Sequence, residues 1–368
     1  MLDMNKKNRK RNLLAATLTA ALLTAPMALS LPAGQAAAAK ASPILKTTAT
    51  PFSIEGKRTS IATIHKDNTT YIALRSLNAS LGLSTTYEKA ADTVKITGRD
   101  RVLQIGLKDS SFKLNGQPIY NGSEAIVQNN TTYLPLRVLL EQMGYAVSYE
   151  QASKMIGIHA VQENKLKIGT EAIASEEGGK SIHVYYPVLS GYSDTAVQNK
   201  INAFLKKEAD RNVAEGSKEM DPQAKENMKI LAGNPKADVR TPSLDGQYTV
   251  SYNEKGKLSL YVDYYVYTGG AHGMTVRQPY TFDLATGDVL SLKEAAGGKE
   301  NYVSAINKEI KDQIKNRHMD LMVPFQTIEA DRDYFLNRNG IVIYFTQYEY
   351  TSYAEGMPEF VIPYSAFK

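Results

Sequence analysis

An internal repeat with an offset of 62 residues is the feature that most limits the fold of this 368-residue chain. The segment NTTYIALR, which begins at Asn68, returns as NTTYLPLR beginning at Asn130, and the same offset pairs Gly82 with Gly144. Two copies of one sequence must solve the same packing problem. We therefore predict two small tandem β-α-β repeat modules over residues 51–160.

Each copy of the repeat predicts the same series of short elements. A polar turn leads into a strand, and a helix of about two to three turns follows and ends at the repeated glycine. A strand with an aromatic residue (Tyr87 or Tyr149), a turn and a last strand complete the unit. The residues expected on the buried helix face are Leu74, Leu77 and Leu81 in the first copy and Leu136, Leu139, Leu140 and Met143 in the second.

The motif TTYLPLR, followed by leucines, a glycine and an aromatic–acidic pair, resembles the copper amine oxidase N-terminal-like domain of exported Gram-positive proteins. The first copy departs from the motif with Ala73 in place of proline. The resemblance covers residues 51–160 and implies an envelope-associated accessory module without oxidase chemistry. The repeated arginines, Arg75 and Arg137, are expected to pair locally or to pack along their stems.

Residues 1–39 have the pattern of a secretory signal peptide. A basic segment from Lys6 to Arg11 precedes a short apolar stretch, Leu13 to Ala25, and small residues up to Ala39 offer cleavage sites. The apolar stretch is shorter than the ~20 residues that a membrane span needs. We expect a cleaved signal and no stable membrane span rather than a retained anchor, with residues 40–50 as a linker.

Charge and cysteine content restrict the class of partner. Removal of the predicted signal lowers the formal charge from +5 to about +1, which gives little attraction to nucleic acid. The chain contains no cysteine, which excludes disulfides, thiol catalysis and thiolate zinc sites. We expect a secreted or extracellular protein, cell-wall associated, with no nucleic-acid partner.

The second half of the sequence predicts a separate α+β domain over residues 181–368, with an antiparallel sheet packed by helices. The preceding segment, 161–180, is polar and ends in two glycines, so it is expected to be a connector. Ser193 is a candidate cap for a helix. Pro222 is expected to interrupt the charged helical segment that follows. Near the end of the chain, Asn339-Gly340 predicts a hairpin turn.

The stretch from Tyr261 to Leu290 is the most informative part of this domain. Val262 and Tyr264 alternate with polar and aromatic residues, the period of a strand with two different faces. Three glycines between Gly269 and Gly273 interrupt the alternation, and they permit positive φ and close backbone approach. A second alternating run then begins, so we predict two strands joined by a glycine loop.

The segments YYVYTGGAHG and FDLATGD in this stretch, with QYEYTSYAEG near the end of the chain, resemble the extracellular domain of the anti-sigma-V factor. That domain also occurs beside the catalytic domain of some peptidoglycan deacetylases. The resemblance covers residues 182–368 and implies a binding module, which in the anti-sigma factor senses lysozyme. About twelve residues precede the apolar stretch at Leu13, so we do not expect regulated release of a sigma factor.

The candidate binding residues fall in two segments, the glycine loop with its flanking tyrosines and the tyrosine-rich segment after residue 347. Tyrosine offers rigid amphipathic contact area, and loops carry recognition more often than strands. For the strand tyrosines, the alternative that they fill half-buried sheet faces remains open. The predicted binding residues are Tyr265, Tyr267, Gly269, Gly270, His272, Gly273, Tyr348, Glu349, Tyr350 and Tyr353.

His272 is the most tempting candidate for a catalytic group. A general base needs an orienting partner, and the sequence lacks both a G-x-S-x-G elbow and an H-E-x-x-H motif. We expect its ring to close the glycine loop through hydrogen bonds to the backbone or to Asp263. We predict no catalytic residue, no metal site and no cofactor.

These patterns together predict a secreted, envelope-associated, non-catalytic binding protein. Its partner would be an extracellular protein such as lysozyme, or peptidoglycan. The alternative is an envelope hydrolase or deacetylase accessory with activity near His272. A purely structural scaffold is favoured if the tyrosine faces are buried.

Overall fold

The computed structural model of the protein describes residues 44–73, 76, 78–119 and 124–368. The predicted signal peptide and the start of the linker lie outside the described residues, as do Leu74, Arg75 and Leu77. The described chain is α+β, with most strands arranged in antiparallel fashion in four sheets and with the helices packed against them.

The repeat region forms two sheets. The strand order is β11-β12-β1-β2-β3-β10-β9 in one sheet and β4-β5-β6-β7-β8 in the other. The helices α1 (Asn78–Leu81) and α2 (Leu136–Gln142) follow β3 and β10. The strands are β1 (Thr47–Ile54), β2 (Lys57–Lys66), β3 (Thr69–Ala73), β4 (Ser84–Glu88), β5 (Thr93–Gly98), β6 (Arg101–Gly106), β7 (Phe112–Leu114), β8 (Gln117–Pro118), β9 (Ile126–Gln128), β10 (Thr131–Pro135), β11 (Tyr145–Glu150) and β12 (Met155–Ala160).

The two copies of the repeat meet at the antiparallel strands β3 and β10. Ile72 pairs with Leu134, its own equivalent in the other copy, and Tyr71 pairs with Pro135. This register relates the two copies by a local two-fold arrangement. Both copies also contribute to one buried core, so the repeats are interleaved in a single body; the core includes Phe52, Ile72, Ile96, Leu103, Ile105, Leu134, Leu139, Leu140 and Ile158.

The local features predicted for each copy are present where the structure describes them. The helix residues Leu136, Leu139, Leu140 and Met143 are buried. Gly82 and Gly144 follow the helices with φ of +64° and +82°, a conformation that suits glycine. Arg137 pairs with Glu141 on the surface, as expected of a local contact. Tyr87 and Tyr149 are both exposed at equivalent positions.

The second half of the chain begins with a five-stranded sheet in the order β13-β14-β15-β16-β17. Its strands are antiparallel neighbours except for β14 and β15, which are parallel. The long helix α3 (Thr195–Gly233) packs on one face through Ile201 and Leu205, opposite Tyr264 of β16. The strands are β13 (Lys167–Ser175), β14 (Ser181–Ser190), β15 (Ser243–Glu254), β16 (Lys257–Tyr267) and β17 (Met274–Asp283).

Three details of this region differ from the sequence prediction. The segment predicted as a connector contains β13, because an edge strand beside β14 needs few apolar residues. Pro222 does not end the helix: α3 continues through it, and Met220 and Ala224 are buried on either side. The helix cap is Asp194 rather than Ser193, and its carboxylate accepts hydrogen bonds from the backbone N–H groups of residues 196 and 197.

A three-stranded sheet completes the fold in the order β18-β19-β20. A capping box begins α4, where Ser291 and Glu294 exchange hydrogen bonds with each other's backbone. The helix α5 buries Ile306 and Ile310 against this sheet. The elements are α4 (Leu292–Ala295), α5 (Tyr302–Asn316), β18 (Tyr334–Asn337), β19 (Gly340–Tyr344), β20 (Glu359–Pro363) and the 3₁₀ turns Tyr353–Glu355 and Tyr364–Phe367.

The hairpin predicted at Asn339-Gly340 forms, but the glycine has a different role from the expected one. Gly340 lies within β19 and pairs with Asn337, whose side-chain oxygen accepts hydrogen bonds from the backbone of Asn339 and Gly340. A Cβ atom at residue 340 would collide with the carbonyl group of Ile362 in β20. The glycine therefore permits close approach of two strands.

Replacement of this glycine should destabilise the three-stranded sheet. We expect Gly340→Ala to lower the free energy of unfolding by about 1–3 kcal/mol, because the added methyl group must displace backbone rather than a side chain. Urea denaturation measures the change. The control is Gly233→Ala at the end of α3, where a Cβ meets no atom within 4 Å. Equal stability of the two variants would contradict the prediction.

Candidate functional site

The glycine loop between β16 and β17 depends on two of its glycines for different reasons. Gly269 has φ of +91°, which side chains rarely adopt. At Gly273, a Cβ atom would collide with the carbonyl group of Val266 and the ring of Tyr265. The loop is therefore both left-handed at its start and tightly packed at its end, as the glycine pattern predicts.

The tyrosines that flank the loop hold its backbone in place. The hydroxyl of Tyr265 accepts a hydrogen bond of 2.8 Å from the N–H of Gly273. The hydroxyl of Tyr267 donates to the carbonyl oxygen of Gly270 at 3.0 Å, and Arg240 donates to the same oxygen at 3.2 Å. The hydroxyl groups of both predicted binding tyrosines thus form intramolecular hydrogen bonds with the backbone of the loop. Sequence reasoning missed Arg240, which is distant in the chain.

His272 lies at the exposed tip of the loop. Its Nδ1 is 3.0 Å from the carbonyl oxygen of Gly273, so this nitrogen must donate. Its ring stacks on Tyr353, with 3.9 Å between centroids and 25° between planes. Its Nε2 is 3.5 Å from the hydroxyl of Tyr348. The structure thus brings together three of the predicted residues from segments that are far apart in sequence.

Of the two partners expected for His272, the backbone or Asp263, the structure shows the backbone. Asp263 instead accepts two hydrogen bonds of 2.8 Å from Arg277, while His272 contacts the backbone as the other half of the prediction expects. The sequence does contain a pattern from which the partner of Asp263 could have been predicted. In a hairpin whose strands end at Tyr267 and begin at Met274, Asp263 falls directly opposite Arg277.

Tyr348 occupies an unusual backbone position. Its φ is +63°, a region that is sparsely populated for bulky residues and costs of order 1–3 kcal/mol. The ring is about half exposed and lies 5.7 Å from that of Tyr353. We call the group formed by the exposed His272 and Tyr348 and the half-buried Tyr353 the aromatic surface.

The neighbouring residues Glu349 and Tyr350 face inward and support this loop. Glu349 accepts two hydrogen bonds from Arg332, at 2.6 and 2.7 Å, and one from the backbone of Thr346. Tyr350 packs against Phe345, with 4.3 Å between ring centroids. These two predicted binding residues therefore act as anchors of the segment that presents Tyr348 and Tyr353.

The described residues of the aromatic surface show neither a carboxylate bonded to the histidine nor a cluster of metal ligands. In the described part of the chain, the ring nitrogens of His272 meet a carbonyl oxygen and a phenol, and neither contacts a carboxylate. Nor do the described residues contain a group of three or more His, Asp or Glu side chains placed to hold a metal ion. The arrangement offers flat rings and hydrogen-bonding tips, which suit recognition.

Three family models match the chain. The copper amine oxidase N-terminal domain matches residues 53–158, the deacetylase PdaC family matches residues 173–275, and a family of unknown function, DUF3298, matches residues 295–365. These matches confirm the resemblance of the chain to a copper amine oxidase N-terminal-like region followed by an anti-sigma-V factor-like extracellular domain. The glycine loop lies in the PdaC match, and Tyr348 and Tyr353 lie in the DUF3298 match.

A curated relative supports the same composition. The anti-sigma-V factor RsiV of Bacillus subtilis (strain 168) is 24% identical over 216 residues, which are 52% of this chain and 65% of the relative. The chain therefore spans slightly less than two thirds of that protein. Among the described residues, no helix combines the length and the apolar character needed to cross a membrane.

Two solved structures of the DUF3298 family are similar to part of the chain. The protein from Bacteroides fragilis NCTC 9343 has a TM-score of 0.41 and 18% identity, and covers 54% of this chain and 91% of its own. The protein from Pseudomonas aeruginosa PAO1 has a TM-score of 0.37 and 21% identity, and covers 54% and 92%.

The Arg332–Glu349 pair makes the loop of the aromatic surface sensitive to acid. Burial raises the pKa of Glu349, but the hydrogen bonds and charge of Arg332 outweigh burial and hold the pKa below its ordinary 4.5. The stability that this lowered pKa contributes is therefore fully present above about pH 4.5. It is lost as the pH falls through the pKa of the folded protein.

We expect Glu349→Gln to be less stable than the parent protein at pH 7, with a difference that narrows as the pH is lowered from 5 to 3. Thermal unfolding of both proteins across this range measures the difference. Arg137→Gln serves as a control, because its exposed pair with Glu141 contributes little. A difference between parent and Glu349→Gln that stays constant with pH would contradict the prediction.

Proposed function

We propose that this chain is an exported, non-catalytic binding protein of the cell envelope that recognises an extracellular protein of the lysozyme type. The resemblance of residues 182–368 to the lysozyme-sensing domain of the anti-sigma-V factor supports the choice of ligand. The similarity to RsiV favours a non-enzymatic role. The predicted signal peptide and the copper amine oxidase N-terminal-like region both favour a location outside the cell.

The observation that carries this proposal is the convergence of His272, Tyr348 and Tyr353 on one exposed surface. Aromatic side chains lose little conformational entropy on binding and are enriched among the residues that dominate protein interfaces. The supporting contacts to Glu349 and Tyr265 hold the two loops before any ligand arrives. A preorganised surface of this kind loses less ordering entropy on association.

The first test measures binding of the mature chain to a purified c-type lysozyme by calorimetry. We expect Tyr348→Ala and Tyr353→Ala each to weaken binding by about 2 kcal/mol or more, the range of interface hot spots. The matched control is Tyr149→Ala, because Tyr149 is exposed to a similar degree but lies in the repeat region. Absence of lysozyme binding, or an equal loss in the control, would refute the proposed surface.

Peptidoglycan is the second candidate ligand for the same surface. Sedimentation of the chain with purified insoluble cell wall tests it, with the same three variants. Retention on cell wall that depends on Tyr348 and Tyr353, together with no binding to lysozyme, would favour peptidoglycan.

The alternative of a catalytic role rests on the match of residues 173–275 to the deacetylase PdaC family. We expect no acetate release from cell wall by the purified chain, and no difference between the parent and His272→Ala, because the histidine lacks a carboxylate partner among its described contacts. Acetate release is measured with an enzyme-coupled assay. Release that disappears in His272→Ala would establish the alternative.

A further inference from the structure

A large cleft separates the repeat region from the second half of the chain. Its volume is about 1210 Å³, and it lies on the face of the five-stranded sheet opposite α3. One wall consists of β15 and β16, and the other consists of the start of β6 and the segment around Glu163. Single small-molecule pockets usually measure about 300–1,000 Å³. The size of this cleft therefore favours an extended ligand.

The sheet wall alternates aromatic and polar groups. Gln247 of β15 lies directly opposite Asp263 of β16, and Tyr261 and Tyr265 stand on either side of Asp263 on the same face. Residues on one face of a strand repeat at about 7 Å, and adjacent strands are about 4.8 Å apart. A sugar ring has an apolar face that stacks on phenol rings and hydroxyl groups that pair with amides and carboxylates. Asp263 is already bonded to Arg277 through both oxygens, and the Arg277 guanidinium lies 3.9 Å from the Tyr261 centroid. Gln247 and Tyr265 are therefore the groups of this wall on which the contacts to a sugar depend.

Most of the charged groups on the walls are already paired with one another. Arg99 and Arg101 both contact Glu163, at 3.3 and 2.5 Å, and Lys167 contacts Asp100 at 2.9 Å. A charged ligand would have to compete with these internal partners, because among the charged groups that line the cleft in the described chain only Lys165 and Asp245 make no ion pair. The pairing of most charged groups with one another therefore favours a ligand that is polar but neutral.

Two glutamine side chains without a hydrogen-bond partner among the described residues line the cleft on opposite sides. Gln247 stands on the sheet wall and Gln142, the last residue of α2, stands on the wall of the repeat region. Both are half-buried, and neither side chain makes a hydrogen bond within the described residues. A planar amide offers two donors and an acceptor, which matches adjacent hydroxyl groups of a sugar.

We propose that this cleft is a binding site for a neutral, extended oligosaccharide, distinct from the aromatic surface. The site does not rest on the function proposed for His272, Tyr348 and Tyr353. It requires the repeat region and the second half of the chain together, because each supplies one wall. Buried hydrogen bonds between Gln117 and the backbone of Tyr248 hold the two walls at a fixed separation.

The test titrates the mature chain with three neutral tetrasaccharides, chitotetraose, cellotetraose and maltotetraose, and with the cationic de-N-acetylated form of chitotetraose. We expect at least one neutral tetrasaccharide to bind, and the cationic form to bind more weakly than chitotetraose. Gln247→Ala and Gln142→Ala should each reduce the affinity about fivefold, the effect of roughly one lost hydrogen bond. Thermal unfolding should show that both variants remain folded.

Tyr348→Ala is the matched control, because it alters the aromatic surface and leaves the cleft intact; its affinity for the tetrasaccharide should equal that of the parent. The proposal is overturned if none of the neutral tetrasaccharides binds, if the cationic form binds best, or if neither glutamine variant weakens binding. Loss of lysozyme binding in Tyr348→Ala with unchanged sugar binding would show that the two sites are separate.

Discussion

The buried guanidinium group of Arg277 is the interaction on which the second half of the structure depends. Its Nε and one terminal nitrogen each lie 2.8 Å from the carboxylate of Asp263, and its other terminal nitrogen lies 2.6 Å from Glu359. The group also lies 3.9 Å from the centroid of the Tyr261 ring. A charge removed from water must have its partners in place. These partners belong to β16 and β20, so Arg277, on β17, joins the five-stranded sheet to the three-stranded one.

The same junction relates the two surfaces that we assign to ligands. The aromatic surface combines His272, from the loop between β16 and β17, with Tyr348, from the segment between β19 and β20, so its geometry requires that the two sheets keep their positions. Tyr265 takes part in both places: its ring lines the cleft, and its hydroxyl holds the N–H of Gly273. A ligand in the cleft that contacts the ring of Tyr265 is therefore linked, through the hydrogen bond to Gly273, to the residue next to His272.

The repeat and the turns could be predicted from the sequence because they are local. The offset places β3 and β10, and likewise β5 and β12, at equivalent bounds, since similar patterns of buried residues form similar local structure. The errors concern long-range partners. The path of α3 through Pro222 depends on burial of the residues on both sides of it, and β13 depends on an edge that β14 provides. The partner of Asp263 follows only once the register of the hairpin is known.

For the candidate site, the two segments selected from the sequence lie together in the structure, but the contacts that their members make were not predicted. Glu349 resembles a surface carboxylate in the sequence, because its partner Arg332 stands 17 residues earlier in the chain. The pairing of β3 with β10 has a wider meaning. A single copy of the repeat would leave the edge of this strand open to pairing with another chain. In this protein the second copy covers that edge, so a contact of the kind that joins two subunits of a symmetric dimer lies within one polypeptide.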